Sequence, residues 1–113
     1  MKDLFKQVQK FRQDRDWDRY HSPKNLAIAL LVEAGELAEH FQWLTEEQSL
    51  RLAPDKLAEV REEIGDVLIY LTNICDKLDI DPIKAAKDKL KKNEEKYPVS
   101  KVRSKAKKYT EYK

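Results

Sequence analysis

An all-α fold, built as a four-helix-type bundle, is predicted by three features of this sequence. Apolar residues recur at spacings of three and four through long stretches, no period-two alternation persists anywhere, and Gly and Pro are scarce, with two and four in 113 residues. A sandwich or barrel needs many more turn residues than that. No repeat with a period of 20–50 residues is visible.

Leu4, Val8 and Phe11 mark a first helix from about Lys2 to Asp14. Arg15 to His21 has no clean period and reads as a loop whose aromatics, Trp17 and Tyr20, must pack somewhere. Ser22-Pro23 starts a second helix, because Ser is a good N-cap and Pro at the first helical position has no needed donor to lose. Leu26, Ile28, Leu30, Val32, Leu37 and Phe41 carry this helix on to Trp43 with apolar residues around much of it, the mark of a helix packed on two sides. Thr45 to Gln48 has the capping-box form and opens a short helix to about Leu52. Pro54 starts the longest helix, through Val60, Ile64, Val67, Leu71 and Ile74 to Leu78. Asp81-Pro82 repeats the cap-plus-proline start, and the last helix runs to about Lys96, stopped by Pro98. The expected organisation is one all-α domain over 1–98 and a basic tail over 99–113.

Apolar residues make up 41% and charged residues 39% of the chain, a lean core for its size, so helices that pack against further subunits are expected. The net charge of +2 implies no global field. Its distribution is uneven: Glu33 to Asp66 is acidic and Lys84 to Lys113 is rich in Lys, the pattern of a cation held beside a polyanion, although solvated helix surfaces give the same composition. Cys75 is the single cysteine, which excludes an internal disulfide and a zinc cluster, and its apolar setting reads as a buried core thiol. The N-terminus has no signal peptide and the apolar stretches fall far short of a membrane span, so a soluble cytoplasmic protein without a membrane partner is the default expectation.

Two acidic pairs stand out. Glu33-x-x-Glu36 lies on the second helix and Glu63-x-x-Asp66 on the fourth, each pair three residues apart and thus on one face. Both lie in apolar surroundings, and each encloses a glycine, Gly35 or Gly65, where Ala favours a helix by about 1 kcal/mol. Glycine there is expected to admit a close backbone or ligand. Four carboxylates converging from two antiparallel helices repel one another unless a hard divalent cation sits among them, and oxygen ligands suit magnesium or manganese, which share their remaining positions with water and phosphate. Solvated helices also carry Glu pairs at this spacing, as Glu39, Glu59 and Glu62 are expected to, and spacing alone leaves both readings open. A di-iron bundle needs Glu-x-x-His pairs, which neither His21 nor His40 supplies.

At these residues the sequence resembles the MazG-like all-α nucleotide pyrophosphohydrolases, and within them the dCTP pyrophosphatase branch. The likeness is carried by Arg15-Asp16-Trp17, Asn25-Leu26, Glu33 to Trp43, Glu62 to Leu71, Asn93 with Tyr97-Pro98, and Lys108 to Glu111. The resemblance implies hydrolysis of a (deoxy)nucleoside triphosphate between its α- and β-phosphates, with Mg²⁺ (or Mn²⁺) as cofactor and a homodimer or a dimer of dimers as the assembly. It implies Glu33, Glu36, Glu63 and Asp66 as metal ligands and catalytic groups, one of them alternatively orienting the attacking water. It further implies Trp17 and Trp43 lining a base pocket, Tyr70 against the sugar or base, Lys89 and Asn93 near the phosphates, and His21 near the nucleotide. Val8 departs from the family pattern, which places a polar ring-bearing residue near the base. The competing reading is a non-enzymatic helical module that binds nucleic acid or an acidic partner through the basic tail; under the enzymatic reading no nucleic-acid partner is expected.

Overall fold

The computed structural model describes residues 1–99, and within them every regular element is helical. These are α1 (Lys2–Asp14), a 3₁₀ turn (Asp18–Tyr20), α2 (Pro23–Glu39), α3 (Glu46–Ser49), α4 (Pro54–Lys77) and α5 (Pro82–Lys96). They fall into two compact units, Met1–Ile80 and Asp81–Lys113. The expected tail over 99–113 lies, beyond Val99, outside the described residues.

In the first unit α4 is the central rod, packing against both α2 and α1. The core is small: Val8 from α1, Leu26 from α2, and Val60 and Cys75 from α4 are its buried apolar side chains among the described residues. Each contributes roughly 1.5–3 kcal/mol where fully buried, so polar contacts and caps carry an unusual share of the fold's definition. Cys75 is buried, as its apolar setting predicted. Thr72, 1% exposed, donates its hydroxyl to the Leu68 carbonyl at 2.7 Å, which satisfies it within its own helix.

Local chemistry sets the boundaries. Ser22 Oγ accepts from Asn25 N at 3.1 Å and Pro23 opens α2, while Thr45 and Gln48 form the full reciprocal capping box of α3. Helices α1 and α4 close in the same way. Asp16 and Asp79 adopt left-handed backbone, with φ 53° and 55°. Trp17 N then reaches back to the Arg12 carbonyl at 3.0 Å, and Ile80 N to the Cys75 carbonyl at 2.8 Å, each a six-to-one Schellman closure. This closure throws the chain sharply off α1 and delivers Trp17 against Phe11, their rings edge-on with centroids 5.5 Å apart.

One boundary differs from expectation. Helix α2 ends at Glu39, not Trp43, and the chain continues through tighter i→i+3 bonds such as Phe41 N to Ala38 O at 3.0 Å. At this end His40 Nδ1 lies 3.2 Å from Lys56 Nζ and 3.7 Å from Glu59 on the first turns of α4.

In the second unit, Asp81 accepts from the backbone N–H groups of Ile83 and Lys84 to cap α5, and Tyr97 N returns to the Asn93 carbonyl at its end.

Candidate metal and nucleotide site

The packing of α2 against α4 brings Glu33, Glu36 and Glu63 together, each offering a carboxylate oxygen within 4.8 Å of the other two. All three side chains are half-buried. Glu33 Oε2 and Glu63 Oε2 are shielded from solvent and have no hydrogen-bond partner. Burial, reinforced by the neighbouring carboxyls of Glu63 and Glu36 and by the Asp66 charge, pushes the Glu33 carboxyl up to about 7. Such a cluster carries a cost that a proton or a cation must offset. Three hard oxygen donors at this separation, two of them unsatisfied and no imidazole or thiolate among them, fit a divalent cation of the magnesium or manganese type.

Asp66 stands one helical turn beyond Glu63, exposed, and close enough for its charge to act on Glu33. It also lines a cavity of about 370 Å³ formed between α1, the 15–21 segment and α4. Apolar side chains, Val8, Phe11 and Ile69 among them, make up much of its wall, and Trp17, His21 and Tyr70 face it as well. That size and lining suit a small planar ligand. The acidic cluster and the aromatic cavity therefore meet at Asp66.

A buried polar network holds the cavity's far wall. Arg12, 4% exposed, donates from Nη1 to Asn73 Oδ1 at 2.7 Å and from Nη2 to Asp76 Oδ2 at 2.8 Å, and its Nε meets the Asp18 carboxylate. Gln9 donates to the other Asp76 oxygen at 2.8 Å, and Lys77 donates to Asp18 at 3.2 Å. Burial pushes the Asp18 carboxyl up, but the Lys77 hydrogen bond and the Arg12 charge outweigh it and leave its pKa below the usual value. Trp17 is thus held from both sides, by the α1 closure before it and by the anchored Asp18 after it. Desolvation, helped by the positive charges of Arg12 and Lys77, lowers the pKa of His21 and favours the neutral imidazole, whose buried Nδ1 has no partner.

Of the residues singled out in the sequence, Glu33, Glu36 and Glu63 converge, Asp66 adjoins them, and Trp17, His21 and Tyr70 line the cavity. Trp43 does not: it lies past the end of α2, 86% exposed. Lys89 and Asn93 belong to the second unit, on α5, where the Lys96 ammonium depresses the pKa of Lys89. Within this chain no backbone comes close at the glycines: a Cβ at Gly35 or Gly65 meets nothing within 4 Å among the described residues. Sequence reasoning missed Arg12 and Asn73. The available signal was Asn73 itself, a polar residue that with Thr72 interrupts the apolar stretch from Val67 to Cys75.

Comparison with known proteins places this geometry in context. The model of the MazG-like family matches residues 28–112. The dCTP pyrophosphatase 1 proteins of Homo sapiens and Mus musculus are 38% and 39% identical to this chain over 98% of its length. The chain spans 66% of the length of each. A solved pyrophosphatase structure from Archaeoglobus fulgidus superposes with a TM-score of 0.83 at 45% identity, over 87% of this chain and 92% of that one. The convergence of Glu33, Glu36 and Glu63 on packed helices, with Asp66 beside them, and the match over most of the sequence agree: this chain belongs to the MazG-like family.

Proposed function

We propose that the protein is a nucleoside triphosphate pyrophosphohydrolase that uses Mg²⁺, with Mn²⁺ able to replace it, and acts on dCTP or a related deoxynucleotide, giving the monophosphate and pyrophosphate. The observation that carries this reading is the junction at Asp66, where a carboxylate cluster fit for a cation adjoins an aromatic cavity fit for a base. The names of the relatives, dCTP pyrophosphatase and pyrophosphatase, support the same chemistry.

Glu33, Glu36 and Glu63 would hold the cation, and Asp66 beside them is the carboxylate that stays off it. A bound divalent cation draws charge from phosphate oxygens and acidifies water. The carboxylate left free of the cation, Asp66 being the most exposed of the four, orients the attacking water and accepts its proton. The water oxygen bonds to phosphorus as the P–O bond between the α- and β-phosphates breaks, and the bridging oxygen leaves with the pyrophosphate. Trp17 and Tyr70 sandwich or flank the base, a contact worth about 1–3 kcal/mol and tolerant of base identity. Lys89 and Asn93 keep, as part of this proposal, the phosphate-facing role that the family resemblance implies.

Self-assembly into a dimer or a dimer of dimers belongs to the same proposal. Leu31, Leu57 and Ile64 stand 70%, 56% and 53% exposed on α2 and α4, more bare apolar surface than a small isolated helical unit keeps in water.

The test is incubation with dCTP and Mg²⁺, with products resolved by ³¹P NMR. Monophosphate and pyrophosphate are expected, and EDTA stops their appearance. Glu36→Gln is expected to abolish turnover with helical content intact. A folded protein that turns over no nucleotide overturns the reading.

A further inference from the structure

The hydrogen bond from Arg12 to Asn73 fixes more than a side-chain position. A guanidinium has donors only, so the group it meets at 2.7 Å must be the amide oxygen of Asn73. The orientation of the amide is therefore determined, although Asn is otherwise free to present either end. Arg12 is itself held by Asp76 and Asp18, so it cannot yield to let the amide turn. Asn73 is 4% exposed and sits on the cavity wall, and its Nδ2 hydrogens meet no acceptor among the described residues. The cavity thus presents a fixed donor. Gln7, His21 and Tyr70, also on its wall, can rotate or change tautomer to suit either kind of partner, and Val8 offers none.

Position says what this donor meets. Asn73 follows Asp66 by seven residues on α4, about 10 Å along the axis at 1.5 Å per residue. That is of the order of the span from the innermost phosphate of a nucleotide to the outer edge of its base. With phosphates at the acidic cluster and the ring between Trp17 and Tyr70, the base edge reaches Asn73.

Building on the nucleotide reading above, we propose that Asn73 is the base-reading residue and Arg12 its positioning residue. The locked amide donates to the adjacent N3 and O2 acceptors of cytosine. Uracil and thymine carry a hydrogen on N3 and oppose donor to donor, which an amide unable to flip cannot relieve. A buried polar mismatch of this kind discriminates far better than apolar shape does.

The test compares kcat/KM for dCTP and dUTP in the wild type, Asn73→Ala and Asn73→Asp. Wild type is expected to favour dCTP. Asn73→Ala lowers the dCTP/dUTP ratio by about tenfold or more, and Asn73→Asp, which keeps the Arg12 contact but replaces the donor with an acceptor, moves it further toward dUTP. A merely structural role lowers both substrates equally, so an unchanged ratio in variants that still turn over nucleotide overturns the proposal. Wild-type protein that hydrolyses no nucleotide instead sinks the pyrophosphohydrolase reading. A second measurement needs no variant: the side-chain ¹⁵N–¹H₂ signal of Asn73 in the wild type is followed with Mg²⁺ and the α,β-imido analogues of dCTP and dUTP. A shift with the bound dCTP analogue is expected, and its absence overturns the assignment.

Discussion

Glu33 Oε2 and Glu63 Oε2, on two helices packed against each other, are both cut off from water and both lack a hydrogen-bond partner. A structure that kept them only for packing would leave two desolvated carboxylates unanswered, each costing on the order of 1–3 kcal/mol.

The first prediction follows from the sign of that cost. The folded-state pKa of Glu33 is raised from 4.5 to about 7, so between those values the folded protein binds more protons than the unfolded chain. The contribution to stability is therefore fully present below pH 4.5 and is lost as pH rises through about 7. Allowing for partial exposure and for sharing among the cluster, the loss is about 1–2 kcal/mol. Urea unfolding of EDTA-treated protein at pH 5 and pH 8 measures it, and Glu33→Gln flattens the slope. Added Mg²⁺ is expected to raise stability more at pH 8 than at pH 5, because the cation competes with the proton for the same oxygens.

Arg12 supplies a second prediction. Its side chain is 5% exposed and bridges α1 to Asn73 and Asp76 of α4 and to Asp18 in the following turn. Arg12→Met removes the shared partner of two carboxylates and one amide, and is expected to lower unfolding free energy by about 2–4 kcal/mol. The Lys10–Asp14 pair is equally short, 2.7 Å, but its side chains are 75% and 53% exposed, and Lys10→Ala is expected to cost less than about 0.5 kcal/mol. Parallel urea titrations compare the two, and the Arg12 variant should also lose the fluorescence signature of a packed Trp17.

Much of this arrangement was legible in the sequence, for reasons that differ by element. Ser22-Pro23, Thr45 to Gln48 and Asp81-Pro82 act through neighbours only, so their caps could be read locally and the structure has them. The approach of Glu33 and Glu36 to Glu63 needed two helices to pack with those faces together, which the apolar setting of each pair implied but did not place. The apolar pattern through Phe41 and Trp43 extends past the end of α2, where the backbone turns to i→i+3 bonds and Trp43 is left exposed. Arg12 and Asn73 leave little trace: in a pair that meets across 61 residues, Arg12 is one more charged letter in the largely polar stretch Gln9 to Asp16, and Asn73 is one polar letter beside Thr72.

The two Schellman closures give a third prediction. Asp16 and Asp79 hold left-handed backbone that costs a residue with a Cβ roughly 1 kcal/mol relative to Gly. Asp79→Gly is expected to raise the thermal midpoint, by a gain of about 0.5–1 kcal/mol, since the Ile80 and Asp79 N–H bonds back to α4 are kept. Asp16→Gly should gain as much in stability while leaving Trp17 in place. Asp16→Val, β-branched and poorly tolerated there, should lose at least as much and displace Trp17, so nucleotide hydrolysis falls with it.

The exposed apolar side chains lead to the last prediction. Leu31 and Trp43 are 70% and 86% exposed, and Ile28 and Val32 flank Leu31 on α2 at spacings of three and one, both 54% exposed. Burying a leucine is worth roughly 1.5–3 kcal/mol, so a row of them bare in water favours covering by a second copy of the chain. Light scattering behind a sizing column is expected to return a mass of two or four subunits. Leu31→Glu places a charge in the middle of that row and should release smaller species with lower stability, without touching the carboxylate cluster. A Leu31→Glu protein that keeps the wild-type mass would show that this face stays open in the assembly, and would move the search for the subunit contact to Leu57 and Ile64 on α4.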